Sequence, residues 1–195
     1  AAAMTRGVQK HEKCTVTIKH FACNNQETNR YFSNSIVSMR AMREIYLKPF
    51  EMCVKDADCL AVMSSFNYIG NRWAGGSSAL CRNILRGEWG FRGFVETDYF
   101  GVYGYMSADQ AIRNGSDLML VNYATATNDV RFRDTNGAKQ AMRDAAKNIL
   151  YVVVNSRAYA PENMTSGMAS WKKIMYAADA VLALRLAFWA FRLVK

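Results

Sequence analysis

Four times along this chain an apolar strand is followed by a polar loop and an amphipathic helix, and no other feature limits its fold as strongly. The spans 14–21, 60–66, 94–98 and 118–121 read as strands, because apolar and β-branched residues gather there between polar and turn residues. Behind the first strand, Ile36, Met39, Met42 and Tyr46 recur at helical spacing, with Ser35 placed to cap them. Pro49 interrupts that pattern, and Phe50, Cys53, Val54 and Ala57 resume it. Leu80, Ile84 and Leu85 mark a helix opened by Ser78 and stopped at Gly87. Ser107-Ala108-Asp109-Gln110 is a capping box for a short helix ending at Gly115. Ala138, Ala141, Ala145, Ile149 and Val153 then share one stripe of a longer helix.

Strands that alternate with helices pair in parallel through crossover connections. The predicted class is therefore α/β. Polar candidates fall at successive strand exits: Lys19 and His20, Phe66 and Asn67, Asp98, and Asn122. One rim that gathers the polar groups is the layout of a (β/α)8 TIM barrel. About four β/α units make only half of one, and a half-barrel leaves sheet edges that cannot close. The expectation is a partial barrel with its first half missing, followed by a C-terminal hydrophobic helix.

Asp98 draws attention first among these residues. It ends the apolar run Phe94-Val95-Glu96-Thr97 and is followed within three residues by Gly101. A carboxylate at the exit of a buried strand is costly unless it is paired, hydrogen-bonded or open to a pocket. Glu96 shares its face of the strand, but about 6.5–7 Å deeper. That places Glu96 below a bound ligand rather than across it.

Composition narrows the function classes. The formal charge is +9, yet Lys and Arg are scattered with no dense block, so no nucleic-acid partner is expected. Cys14, Cys23, Cys53, Cys59 and Cys81 form no C-x-x-C pair, so no metal site is expected, and buried free thiols of a reducing compartment are the simpler reading. Glycine-rich phosphate loops are missing, and no cofactor is implied. Residues 1–13 hold no apolar core of a signal peptide, and the start at Ala1 reads as a cut from something longer.

Several motifs, in order, resemble glycoside hydrolase family 3. They are Lys19-His20-Phe21 with Asn24-Asn25-Gln26-Glu27-Thr28-Asn29-Arg30; Arg40-Ala41-Met42-Arg43-Glu44-Ile45-Tyr46-Leu47-Lys48-Pro49-Phe50-Glu51; Val62-Met63-Ser64-Ser65-Phe66-Asn67; Leu85-Arg86-Gly87-Glu88-Trp89-Gly90-Phe91; and Thr97-Asp98-Tyr99. The resemblance implies a retaining β-glycosidase, most often acting on β-glucosides. It implies Asp98 as catalytic nucleophile, Lys19 and His20 as ligands of sugar hydroxyls, and Arg30 as support of the same subsite. Met63 and Phe66 would line it, with Phe66 where many members carry Tyr. Tyr99 stands where many members carry Trp. It further implies that the acid/base comes from a sandwich domain absent here, lying upstream of Ala1.

On this reading the chain divides into a disordered or truncated lead-in (1–13), half of the barrel (14–158), a linker (159–170) and a hydrophobic or amphipathic helix (171–195). The tail from 174 to 194 is long enough for membrane contact. Each charge near a bilayer centre costs roughly 2.5–3.5 kcal/mol, and each Leu, Ile, Val or Phe returns roughly 0.3–0.6. Nine such apolar residues against Asp179, Arg185 and the terminal Arg192 leave a balance near zero or unfavourable. A weak anchor, an interfacial helix and a helix packed on the barrel all stay open. So does the compartment, cytoplasmic or membrane-associated. The alternative to a glycosidase fragment is a degenerate, non-catalytic carbohydrate-binding or membrane-associated module.

Overall fold

The computed structural model describes residues 1–11, 14–100, 104–121, 130–161 and 168–194. Two units are distinguished, Ala1–Tyr159 and Ala160–Lys195. The larger begins with α1 (Ala2–Gln9), β1 (Thr17–Phe21), β2 (Asn34–Ser35) and α2 (Met39–Ala41). A π-helical turn, Met42–Tyr46, leads to α3 (Lys48–Ala57), then β3 (Ala61–Ser64), β4 (Tyr68–Ile69) and β5 (Arg72–Trp73). A π-helix, Ala79–Glu88, precedes β6 (Phe94–Glu96), α4 (Ala108–Arg113) and α5 (Asn136–Asn155). The smaller unit contains α6 (Ser170–Val194).

The main sheet runs in the order β1-β3-β6, and both pairings are parallel. Ile18 lies opposite Val62, and Val62 opposite Val95. Strands adjacent in space are thus successive in the alternation, with a helix between each pair. The fourth predicted strand is reduced to a single parallel bridge, Glu96 to Leu118. Phe100 N–H donates to Leu120 O at 2.7 Å, and Thr97 N–H to Leu118 O at 2.9 Å, so this segment still follows β6. Asn122 lies outside the described residues.

One face of the sheet builds the core. Phe21, Val62 and Val95 are buried with Leu80, Cys81, Ile84 and Leu85 of the π-helix and Leu47 and Val54 of the α3 region. Fully burying side chains of this size stabilises by roughly 1.5–3 kcal/mol each. The opposite face carries Thr17, Met63, Phe94 and Glu96, all only half-buried. Far from the strand exits, Asp117 binds three segments together. Its carboxylate accepts from Val95 N–H at 2.7 Å and from Asn148 Nδ2 at 2.9 Å, and it pairs with Arg86. Arg86 also donates to Gly93 O at 2.9 Å.

Three local expectations change. Residues 1–13, expected as a disordered or truncated lead-in, instead carry α1. Ala2 and Thr5 are buried with Cys53, Ala57 and Cys59 nearby, and Gln9 Nε2 donates to Ala57 O at 2.7 Å. The helix predicted from Ser35 starts later, capped by Ser38 Oγ accepting from Ala41 N–H at 3.2 Å. Ser35 belongs to β2 and Ile36 is exposed, because the chain there forms a small second sheet with β4 and β5. Pro49 does not break a helix; it sits in the first turn of α3, where its missing N–H has no partner to lose.

In the smaller unit, α6 has exposed apolar residues throughout. Its span Ser170–Arg192 covers 23 residues with a mean hydropathy of 1.6, and none of it is buried.

Candidate active site

The sheet delivers its polar residues to one end. His20 lies near the C-terminal end of β1, and Asp98 follows the C-terminal end of β6. Because β1, β3 and β6 are parallel, these ends share one rim, and the β1–β3 register shifts by one residue between Ile18 and Phe21, around His20. His20 Nε2 stands 3.2 Å from Asp98 Oδ2. The distance suits charge pairing, but the oxygen accepts no hydrogen bond and is buried. The second oxygen, Oδ1, accepts from Tyr99 N–H at 2.8 Å. Asp98 as a residue is 9% exposed, with one carboxylate oxygen fixed by the backbone and the other uncommitted.

Burial holds the His20 imidazole below its ordinary pKa, and the charges of Lys19 and Arg30 act the same way. Asp98 and Glu27 oppose this. Burial likewise pushes the Glu96 carboxyl up, and Asp98 adds to the rise; a hydrogen bond from Thr17 and the charge of Lys19 counteract it. Glu96 is the cross-strand neighbour of Met63, one level below Asp98.

Arg30 is held by aromatic rings. Its guanidinium lies 4.9 Å from the Phe66 ring centroid and 5.1 Å from that of Tyr31, and donates to Tyr31 Oη at 3.1 Å. Glu27 Oε2 accepts a charge pair from it at 3.0 Å. Phe66 and Tyr31 meet edge to face at 4.8 Å. Arg30 is within electrostatic range of Asp98.

Lys19 is exposed and, among the described residues, forms no ion pair. It lines a cavity of about 340 Å³ with His20, Asn24, Asn25, Tyr46 and Phe50. Of the two neighbours, His20 and not Lys19 forms the ion pair with Asp98 among the described residues. Met63 is half-buried on the open sheet face, Phe66 is buried, and Tyr99 is half-buried behind the Asp98 backbone. Asn67 is buried, and its Nδ2 donates to Ala22 O at 3.2 Å and Ser35 Oγ at 3.3 Å, while its Oδ1 accepts no hydrogen bond. Sequence reasoning missed Tyr31 and Glu27 as braces of Arg30, although both stand within three residues of it.

Residues 1–151 match the profile of the Glycosyl hydrolase family 3 N terminal domain. The chain belongs to glycosyl hydrolase family 3. Family 3 relatives include beta-glucosidase B of Emericella nidulans, 42% identical over 118 residues that make 60% of this chain and 14% of that protein. A beta-glucosidase of Ruminococcus albus is 50% identical over 84 residues, 43% of this chain and 9% of that protein. Beta-glucosidase 3B of Thermotoga neapolitana, solved in complex with alpha-D-glucose, superposes with a TM-score of 0.73 at 30% identity. That match covers 92% of this chain and 26% of the Thermotoga chain. The chain thus spans about a quarter or less of these family 3 relatives.

Proposed function

We propose that residues 14–158 are half of the (β/α)8 barrel of a retaining, β-glucosidase-like enzyme. It hydrolyses terminal non-reducing β-D-glucosyl residues through a covalent glycosyl-enzyme on Asp98. The observation that carries this reading is the buried Asp98 carboxylate at a strand exit, with an uncommitted oxygen 3.2 Å from His20 Nε2. Parallel strands in chain order and the likeness to a glucosidase solved with alpha-D-glucose support it.

In this mechanism Asp98 Oδ2 attacks the anomeric carbon while Tyr99 N–H keeps the other oxygen in place. The leaving oxygen takes its proton from a second carboxyl about 5–5.5 Å away, and the same group later activates the water that releases the sugar. Glu96 does not fill that role, because it sits about 6.5–7 Å along the same strand rather than across the substrate. The acid/base therefore comes from the sandwich domain of the longer protein. That domain and the first half of the barrel are this chain's partners, and alone it is inactive. Lys19, His20 and Arg30 bind or support sugar hydroxyls; Met63, Phe66 and Tyr99 form the apolar wall.

The test uses the full-length enzyme that contains this segment. Asp98→Asn lowers aryl β-glucoside turnover on the order of 10³-fold or more, as loss of a nucleophile does. Turnover that survives the change removes Asp98 from that role.

A further inference from the structure

The 23-residue apolar span in α6 is about 34 Å long at 1.5 Å per residue, against a hydrocarbon core of about 30 Å. Its apolar side chains point to every side: Ile174, Met175 and Tyr176 are exposed, and so are Leu182, Leu184 and Leu186. A helix that lies along a membrane surface needs a broad polar face, and α6 has none. Trp171 with Lys172 and Lys173 stands at one end, and Trp189 with Arg192 at the other. Aromatic and basic residues at both ends suit the two membrane–water boundaries.

Asp179 and Arg185 are the obstacle. They stand three residues before and three residues after Leu182, so both flank one stripe made by Met175, Leu182 and Trp189. Within one helix they cannot pair, since six residues separate them by about 9 Å along the axis and about 120° around it. Between two parallel copies joined along that stripe, each Asp179 falls on the same side as the other copy's Arg185. Long side chains on a helix run back toward its N-terminus. Arg192 does so, with its guanidinium 5.9 Å from the Phe188 ring centroid one turn earlier. Arg185 running the same way closes the axial gap to Asp179 of the neighbour. Ala178 on the stripe lets the backbones approach.

We propose that α6 crosses a lipid bilayer as a parallel pair of copies, with Asp179 of each paired to Arg185 of the other. The full chain is reconstituted into phosphatidylcholine–phosphatidylglycerol vesicles. It floats with them after washing with high salt and then alkaline carbonate, and it cross-links as a dimer there. Asp179→Ala and Arg185→Ala each reduce the cross-linked fraction by about fivefold or more, and the double variant falls no more than about twofold below either single one. A chain released by either wash, an inserted but monomeric chain, or single variants that dimerise as well as the unaltered chain overturn the proposal. None of these readouts involves Asp98, so failure here leaves the glycosidase reading standing.

Discussion

His20 is held toward its neutral form by burial, and the Asp98 carboxylate only partly offsets this. Removing that carboxylate therefore lowers the imidazole pKa further. In Asp98→Asn the His20 ring resonances titrate at lower pH than in the unaltered chain. An unchanged or raised value would break the assigned contact. The sign for stability follows from linkage: a histidine whose folded pKa lies below 6.5 binds fewer protons folded than unfolded. Its contribution is complete above pH 6.5 and is lost as the pH falls below that toward the folded value. The denaturation midpoint of the unaltered chain thus drops more steeply just below pH 6.5 than that of His20→Gln. Equal slopes would mean the imidazole is no more buried than in the open chain.

At the scale of elements, the segment from β6 to α5 depends on a buried ion pair and a close backbone approach. The Asp117 side chain is 3% exposed, and burial pushes its carboxyl up even though Arg86 and Asn148 hold the charged form. Deleting one partner of such a pair leaves the other without compensation. Asp117→Ala is expected to cost about 3–5 kcal/mol, read from the denaturation midpoint. A loss within the error of the midpoint would mean the network contributes little. Gly93 fixes a second contact: a Cβ there would lie 1.9 Å from Leu60 O, just where β3 and β6 begin to pair. Neither side of that contact is a flexible side chain. Gly93→Ala is expected to cost at least about 1–3 kcal/mol, since overpacking forces the strands to shift.

For the whole molecule, the half-buried sheet face of Thr17, Met63, Phe94 and Glu96, and a β1 that pairs only with β3 among the described residues, fit the proposed incomplete barrel. A purified chain of these 195 residues is expected to show no aryl β-glucoside turnover above buffer. Robust turnover would mean that a proton donor for the leaving group lies within this chain, and the fragment reading would fall.

Much of this was legible in the chain itself. Parallel pairing followed from the strand–loop–helix order, and Ser107 was readable as a cap, which Gln110 N–H meets at 3.4 Å. The motif around Thr97-Asp98-Tyr99 pointed to Asp98 because a carboxylate at a strand exit is costly without a purpose. Other features were not legible, for reasons of tertiary packing. Residues 1–13 lack the pattern of a stable free helix, and α1 forms against Cys53 and Ala57. Ile36 fits a helical stripe, but pairing of Asn34 and Ser35 with Tyr68 and Ile69 draws the preceding chain into a sheet. The order of residue types along the chain determined the class of fold and the candidate carboxylate. Only the folded structure decided that His20 rather than Lys19 stands beside Asp98, and that two rings and Glu27 brace Arg30. Those choices depend on distances between segments far apart in sequence, which no local pattern encodes.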